Sequence, residues 1–322
     1  MALRVIGKTN YDLVEEWLES LSIADISRVE YRRRIRRWFN FLARQKYDAD
    51  LPEERYVVEF RRSLDGHSPY YINCLVNVVR QFYSWCFQMR YCTTPVGASV
   101  RSLKLHFRYN KLPLSDGQIK MLLAALEHPK TLKERRDQVM IYLMLFNGLR
   151  CVEVSRMTFA DVERYDQYDI IRIQPKGHTQ KDEVRRLPDL TVAAIEDYAS
   201  ALAEKYDNVD ALPVAVSFTG RLKGKPLPLS AHQVSRAVAR ILKRMGFSAL
   251  RKITPHSLRH SYACLLLENG VSIEEVQAQL GHSNPQLTQL YAAMIIDKKK
   301  LESDATNRII QSLVNERQQA RL

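Results

Sequence analysis

The sequence predicts a mainly α-helical protein with a small β-sheet, an α+β chain of two domains. Three observations lead there. At 322 residues the chain is long enough to bury two separate cores. Apolar residues recur at helical spacing through most of its length. Only two short runs, Ile170 to Gln174 and Val184 to Leu187, read as strands, and they flank a polar segment containing Gly177.

The first hundred residues read as helices. Between Tyr11 and Leu21, Leu13, Trp17 and Leu21 fall on one stripe among acidic positions. Ser27 is placed to cap a second helix running to Gln45, with Tyr31, Ile35, Trp38, Phe39 and Leu42 turned inward. Its other face carries Arg28, Arg32, Arg33, Arg36 and Arg37, a basic stripe suited to a phosphate backbone, against the plainer reading of a solvated face. Ser68-Pro69 has the form of an N-cap followed by proline at the first helical position. The helix it opens runs through Leu75, Val79, Phe82, Tyr83, Trp85 and Cys86, aromatics expected in the core and not stacked on bases. A break at Thr93 to Gly97 and a basic, weakly periodic stretch make residues 96–113 an interdomain linker.

Leu114-Ser115-Asp116 opens the second region with a capping residue, followed by Ile119, Leu122, Leu123 and Leu126 on one face. A densely apolar helix from about Arg135 ends at Asn147-Gly148, a reasonable C-cap. From Ser230 onward the chain is helical again, broken by short turns. Thr254 and Pro255 suit the N-cap and first position of one helix, and Ser272 with Glu275 forms a capping box for the next. Asn284-Pro285 begins the helix that carries Tyr291.

Composition narrows the function classes. A net charge of +13 favours a polyanionic partner over a merely basic protein, because neutralised phosphates release condensed counterions. Five cysteines without a C-x-x-C pair argue for reduced thiols and against a disulfide framework. There is no apolar signal core at the N-terminus and no run long enough to span a bilayer, so a cytoplasmic location is expected.

Three clusters carry the chemistry. They are Asn147-Gly148-Leu149-Arg150-Cys151-Val152-Glu153, Thr254-Pro255-His256-Ser257-Leu258-Arg259-His260, and Leu280-Gly281-His282 with Tyr291 nine residues later. Cleaving a phosphodiester without a metal requires neutralised non-bridging oxygens, a proton for the leaving oxygen and an in-line nucleophile. Arginine suits the first task, because its planar fork donates two parallel hydrogen bonds and never deprotonates. Three residues apart at a helix start, His256 and Arg259 share a face, and the helix N-terminus adds partial positive charge. His282, in a tight turn, can donate to a phosphate oxygen or move a proton near neutral pH. Singly, each of these residues is more often a packing or hydrogen-bonding group. A zinc site of His256, His260 and His282 is disfavoured by the nearby arginines and the lack of a carboxylate or cysteine to complete it.

In order and spacing these clusters resemble the signature of the tyrosine recombinases, the phage integrase family, in its simple two-domain Xer-like form. Pro175-Lys176-Gly177, followed by Arg185-Arg186-Leu187-Pro188, resembles the family's lysine-bearing β-hairpin, with Pro175 where many relatives have glycine and Lys181 as the alternative lysine. The resemblance implies a helical SAM-like core-binding domain over residues 1–95 and a catalytic domain over 114–322, ending in an oligomerisation helix at about 301–318. It further implies that the added arm-binding domain of some relatives is absent. Tyr291 would attack the scissile phosphate to form a 3′-phosphotyrosyl link and release a 5′-hydroxyl. Arg150, Arg259 and His282 would stabilise the transition state, Lys176 would protonate the leaving oxygen, His256 would assist, and Glu153 would orient the site. No ATP, metal or other cofactor is implied. The partner would be double-stranded DNA carrying recombination sites. Four protomers would exchange strands through a Holliday junction, joined by the tail helix that bears Leu301, Ala305, Ile309, Ile310 and Leu313, with accessory proteins in some systems. The alternatives are a nicking-closing topoisomerase and a catalytically silent DNA-binding accessory protein of the same fold.

Overall fold

The computed structural model describes residues 8–105, 112–175, 177–218, 227–247 and 253–281. Lys176, His282, Tyr291 and the expected tail helix lie outside the described residues. The chain divides into two compact units, Met1–Arg108 and Tyr109–Leu322.

The first unit is helical. α1 (Asn10–Ser20) begins in a capping box, the Thr9 hydroxyl accepting from the Asp12 amide and the Asp12 carboxylate from the Thr9 amide. α2 (Asp25–Gln45) starts two residues before the expected Ser27 cap. The Ser27 and Arg28 amides already donate to the Ala24 carbonyl at 2.8 and 3.1 Å, so Ala24 is the N-cap although its side chain caps nothing. α3 (Glu54–Arg62) is an element the sequence reading passed over, and it buries Tyr56, Val57 and Phe60. α4 (Pro69–Gln88) starts as expected, with Ser68 Oγ accepting from the Tyr71 amide at 3.2 Å.

Trp17, Trp38, Phe82 and Tyr83 meet in one core, where the Trp38 indole donates to the Tyr83 hydroxyl at 3.0 Å. Phe82 and Tyr83 have no exposed surface, which is what their reading as core residues required. Over 96–105 the segment read as linker is fastened to these helices. Glu54 accepts from the Ser99 amide at 2.9 Å, and Asn73 pairs in both directions with the Leu103 backbone at 2.8 Å. Val96 and Val100 of this segment are buried against the same core.

The second unit is built around α6 (Leu132–Phe146), in which every residue from Val139 to Leu145 is buried. It starts three residues earlier than expected because Thr131 and Glu134 form a capping box. α5 (Asp116–Leu126) precedes it, and the short α7 (Cys151–Arg156) and a 3-10 turn (Phe159–Asp161) follow. The expected strand pair is a three-stranded antiparallel sheet of β1 (Val162–Tyr165), β2 (Tyr168–Ile173) and β3 (Glu183–Arg186). Its register pairs Tyr165 with Tyr168 and Ile171 with Arg185. Then come α8 (Asp189–Ala203), the two-stranded pair β4 (Val216–Ser217) and β5 (Leu227–Pro228), and α9 (Ala231–Arg244). α10 (Pro255–Glu268) and α11 (Ile273–Leu280) complete the described part. α8 and α10 pack on α6, and α9 packs on α7. Among the described residues no helix is long and apolar enough to cross a membrane.

Candidate active site

Three segments far apart in sequence meet where α6 ends. Gly148 turns the chain out of α6 with φ at +63°, and α10 passes so close that a Cβ here would lie 2.5 Å from Cδ1 of Tyr262. Two residues later Arg150 caps α7. Its amide donates to Glu153 Oε2 and its guanidinium Nη1 to Glu153 Oε1, both at 2.7 Å.

From α10, Arg259 enters the same space. It is 1% exposed, and its guanidinium donates to the carbonyls of Gly148 and Leu280, with Nη1 3.8 Å from Glu153 Oε2. α11 supplies the third wall, closing at Gly281 in the left-handed conformation, with the Gly281 carbonyl 3.5 Å from Arg150 Nη2. At that distance the contact is weak, so one edge of the Arg150 fork stays available to a ligand.

Glu153 has no exposed surface. Burial pushes its carboxyl up, but the amide and guanidinium of Arg150 and the charges of Arg150 and Arg259 outweigh burial and hold it below the ordinary carboxylate range. Two guanidinium groups thus share one carboxylate, and the pair keeps a net positive charge. Arg150 is the member open to solvent, its side chain 22% exposed. An anion entering there meets a planar fork beside buried positive charge.

His256 is exposed on the first turn of α10, three residues before Arg259, and its ring meets that of His260 edge-on at 4.6 Å. Tyr262, the tyrosine packed against Gly148, donates to Gln279 at 2.5 Å, and burial raises its phenol above the ordinary range. It is therefore a packing group. The structure brings Arg150, Glu153 and Arg259 into one cluster and sets His256 one helical turn away; the remaining site residues, Lys176, His282 and Tyr291, lie outside the described residues.

The sequence reading missed Arg185 as part of this cluster. From β3 it donates to the Asn147 carbonyl at 2.7 Å and to Glu183 at 2.8 Å, while the Asn147 amide group donates back to the Arg186 carbonyl at 2.8 Å. The signal was a second arginine in the Arg185-Arg186 pair, at a strand position facing the interior. Lys181, the alternative hairpin lysine, is engaged by Asp161 at 2.6 Å.

The arginine stripe on α2 is unevenly available. Arg32 is clasped by Glu15 of α1, Arg28 pairs with Asp25 at 3.1 Å and Arg33 with Glu30 at 3.0 Å. Arg33, Arg36 and Arg37 are the exposed members, Arg37 lying 5.5 Å from the Tyr71 ring centroid. A second basic face was also missed. On α9, Arg236, Arg240 and Lys243 are exposed at helical spacing opposite buried Val234, Val238, Ile241 and Leu242. α9 packs on α7, the helix that Arg150 caps.

Comparison with known proteins agrees with this geometry. Residues 114–295 match the family described as "Phage integrase family". The chain is 28% identical over 295 residues to tyrosine recombinase XerA of Thermococcus kodakarensis, covering 81% of this chain and 98% of that protein. It is 27% identical over 268 residues to tyrosine recombinase XerD of Staphylococcus saprophyticus, covering 81% and 85%. Its fold is similar to that of the XerH site-specific recombinase bound to palindromic difH substrate, with a TM-score of 0.70 at 16% identity, covering 93% of this chain and 85% of that one. With more than half of its length matched, and the arginine cluster inside the match, the chain belongs to the phage integrase family, the tyrosine recombinases.

Proposed function

We propose that this tyrosine recombinase cleaves and rejoins double-stranded DNA at a specific site through a 3′-phosphotyrosyl intermediate. The observation that carries the reading is the pair Arg150 and Arg259, brought from two helices around the buried carboxylate of Glu153. A phosphate seated on the open edge of Arg150 has its charge neutralised before the reaction begins, and that lowers the barrier only if the cations are already fixed. Tyr291 is the nucleophile. Its phenol gives up its proton, accepted by His256, as its oxygen bonds to phosphorus and the P–O5′ bond breaks, and Lys176 gives a proton to the leaving 5′-oxygen. His282 joins the arginines on the developing charge, and His256 assists proton transfer from the first turn of α10. The covalent link conserves the bond energy, so rejoining is the same displacement run backwards.

Exposed basic faces on α2 and α9 are the surfaces we assign to the DNA backbone. Four protomers exchange strands pairwise through a Holliday junction, joined by the tail helix at 301–318, and the protein works in the cytoplasm. The test is a duplex nicked near the crossover and built on paired inverted repeats sought in the DNA flanking the encoding locus. The unaltered protein is expected to trap a covalent adduct, and Tyr291→Phe to trap none. Absence of an adduct with the unaltered protein would instead favour an accessory DNA-binding role.

A further inference from the structure

Two lysines of the sequence fall between β2 and β3, and one of them, Lys181, is held by a carboxylate. Lys181 Nζ sits 2.6 Å from Asp161 Oδ1 and 2.5 Å from Oδ2. Asp161 is 7% exposed, and its Oδ2 also accepts from the Thr158 amide at 2.7 Å. That carboxylate closes the 3-10 turn directly after α7, the helix whose first turn holds Arg150 and Glu153. The other end of the loop is tied to the same helix. Arg156, the last residue of α7, donates to the Pro175 carbonyl at 3.2 Å.

Between these anchors the loop closes on itself. Gln174 donates to the His178 carbonyl at 2.7 Å, and His178 Nδ1 pairs with Asp182 at 2.8 Å. A hairpin tip that only had to stay dissolved would need none of these ties. A buried carboxylate facing a lysine is costly to desolvate and adds little net stability, so its benefit lies in fixing geometry. What it fixes is the loop's position relative to the Arg150 helix, and Lys176 follows Pro175 directly in that loop.

We propose that Asp161, through Lys181, is a positioning residue for proton delivery, holding the 174–182 loop so that Lys176 reaches the leaving oxygen. The proposal rests on the reading of Lys176 as the proton donor, and it makes Lys181 an anchor instead of a rival acid. In the step concerned, the Tyr291 phenol gives its proton to His256 as its oxygen bonds to phosphorus, the P–O5′ bond breaks, and the 5′-oxygen takes a proton from the Lys176 ammonium. If sulfur replaces the bridging 5′-oxygen, the P–S bond breaks and a thiolate leaves without that proton. A defect in proton delivery is therefore rescued by sulfur, whereas a general loss of fold or DNA binding is not.

The experiment measures single-turnover cleavage by the full chain on nicked duplexes carrying its recombination site, with bridging oxygen or bridging sulfur. Lys176→Ala sets the benchmark. Asp161→Asn and Lys181→Met are each expected to slow the oxygen substrate by about tenfold to a hundredfold, the scale of a misplaced catalytic group. Both should cleave the sulfur substrate at nearly the unaltered rate, and Lys181→Arg, which keeps the charge, should restore oxygen cleavage. Lys181 is one-third exposed, so its variants guard against a failure of Asp161→Asn to fold. Equal losses on both substrates, or no loss on either, overturn the positioning role while leaving Lys176 in place. If sulfur does not rescue Lys176→Ala, the proton-donor reading falls and the positioning role falls with it.

Discussion

Glu153 faces two guanidinium groups from a position with no exposed surface, and this decides its role at the scale of single residues. A carboxylate that stays charged in such a place cannot serve as a base near neutral pH; it holds cations. Removing it takes a buried counter-charge away from Arg259, itself 1% exposed and held by backbone carbonyls. Breaking a buried pair in this way costs about 3–5 kcal/mol, so Glu153→Ala should unfold at markedly lower urea concentration. The pH dependence has a definite sign. Because the folded carboxyl titrates below its ordinary value of 4.5, its contribution is complete above that pH and is lost as pH falls through the lower folded value. The melting-temperature gap between the unaltered protein and Glu153→Gln should therefore be widest near neutrality and close progressively below about pH 4.5. A gap that stayed constant down to pH 3 would show that the carboxyl's charge contributes nothing.

At the scale of elements, the site exists because α10 and α11 approach the end of α6 closely enough for Arg259 to reach the carbonyls of Gly148, in the turn after α6, and Leu280, at the end of α11. Gly148 permits that approach. Gly148→Ala places a methyl group against the Tyr262 ring and puts a non-glycine residue at positive φ, a strain of about 1–3 kcal/mol before the clash is added. Gly66, also at positive φ but with nothing within 4 Å of a Cβ, is the control: Gly66→Ala should lower the urea midpoint clearly less than Gly148→Ala. Equal shifts would mean that the approach of α10 to this turn is not the constraint. Much of this level was legible in the sequence, because capping residues such as Ser68, Ser115 and Ser230 act locally and mark their helices wherever they fold. α8 was passed over although Thr191, Ala194, Ile195, Tyr198 and Leu202 share its buried face, since alanines on its other sides blur the contrast. β1 has no alternation of buried and exposed residues and exists only by pairing with β2. The depth of Arg259 was not legible either, for its partners Gly148 and Leu280 come from other segments, and an arginine in a sequence reads as surface.

Over the whole molecule the question is where a net charge of +13 is spent. Counting arginines along α2 suggests five equivalent contacts, but the fold makes them unequal, because α1 brings both carboxylate oxygens of Glu15 against Nε and Nη2 of Arg32. A guanidinium already paired with a carboxylate releases few counterions when it nears a phosphate, and an exposed one releases nearly a full complement. Arg36→Ala is accordingly expected to reduce the slope of log affinity against log salt by about one, and Arg240→Ala on α9 to do the same. Arg32→Ala should leave the slope nearly unchanged, since it removes a charge that the protein has already neutralised internally. Fluorescence anisotropy on a labelled duplex across a salt series measures all three. Matching slope changes for Arg32 and Arg36 would show that Glu15 releases its partner on binding and that the whole stripe reaches the backbone. No change at Arg36 or Arg240 would remove both helices from the interface and leave the phosphates to be gripped around the arginine pair alone.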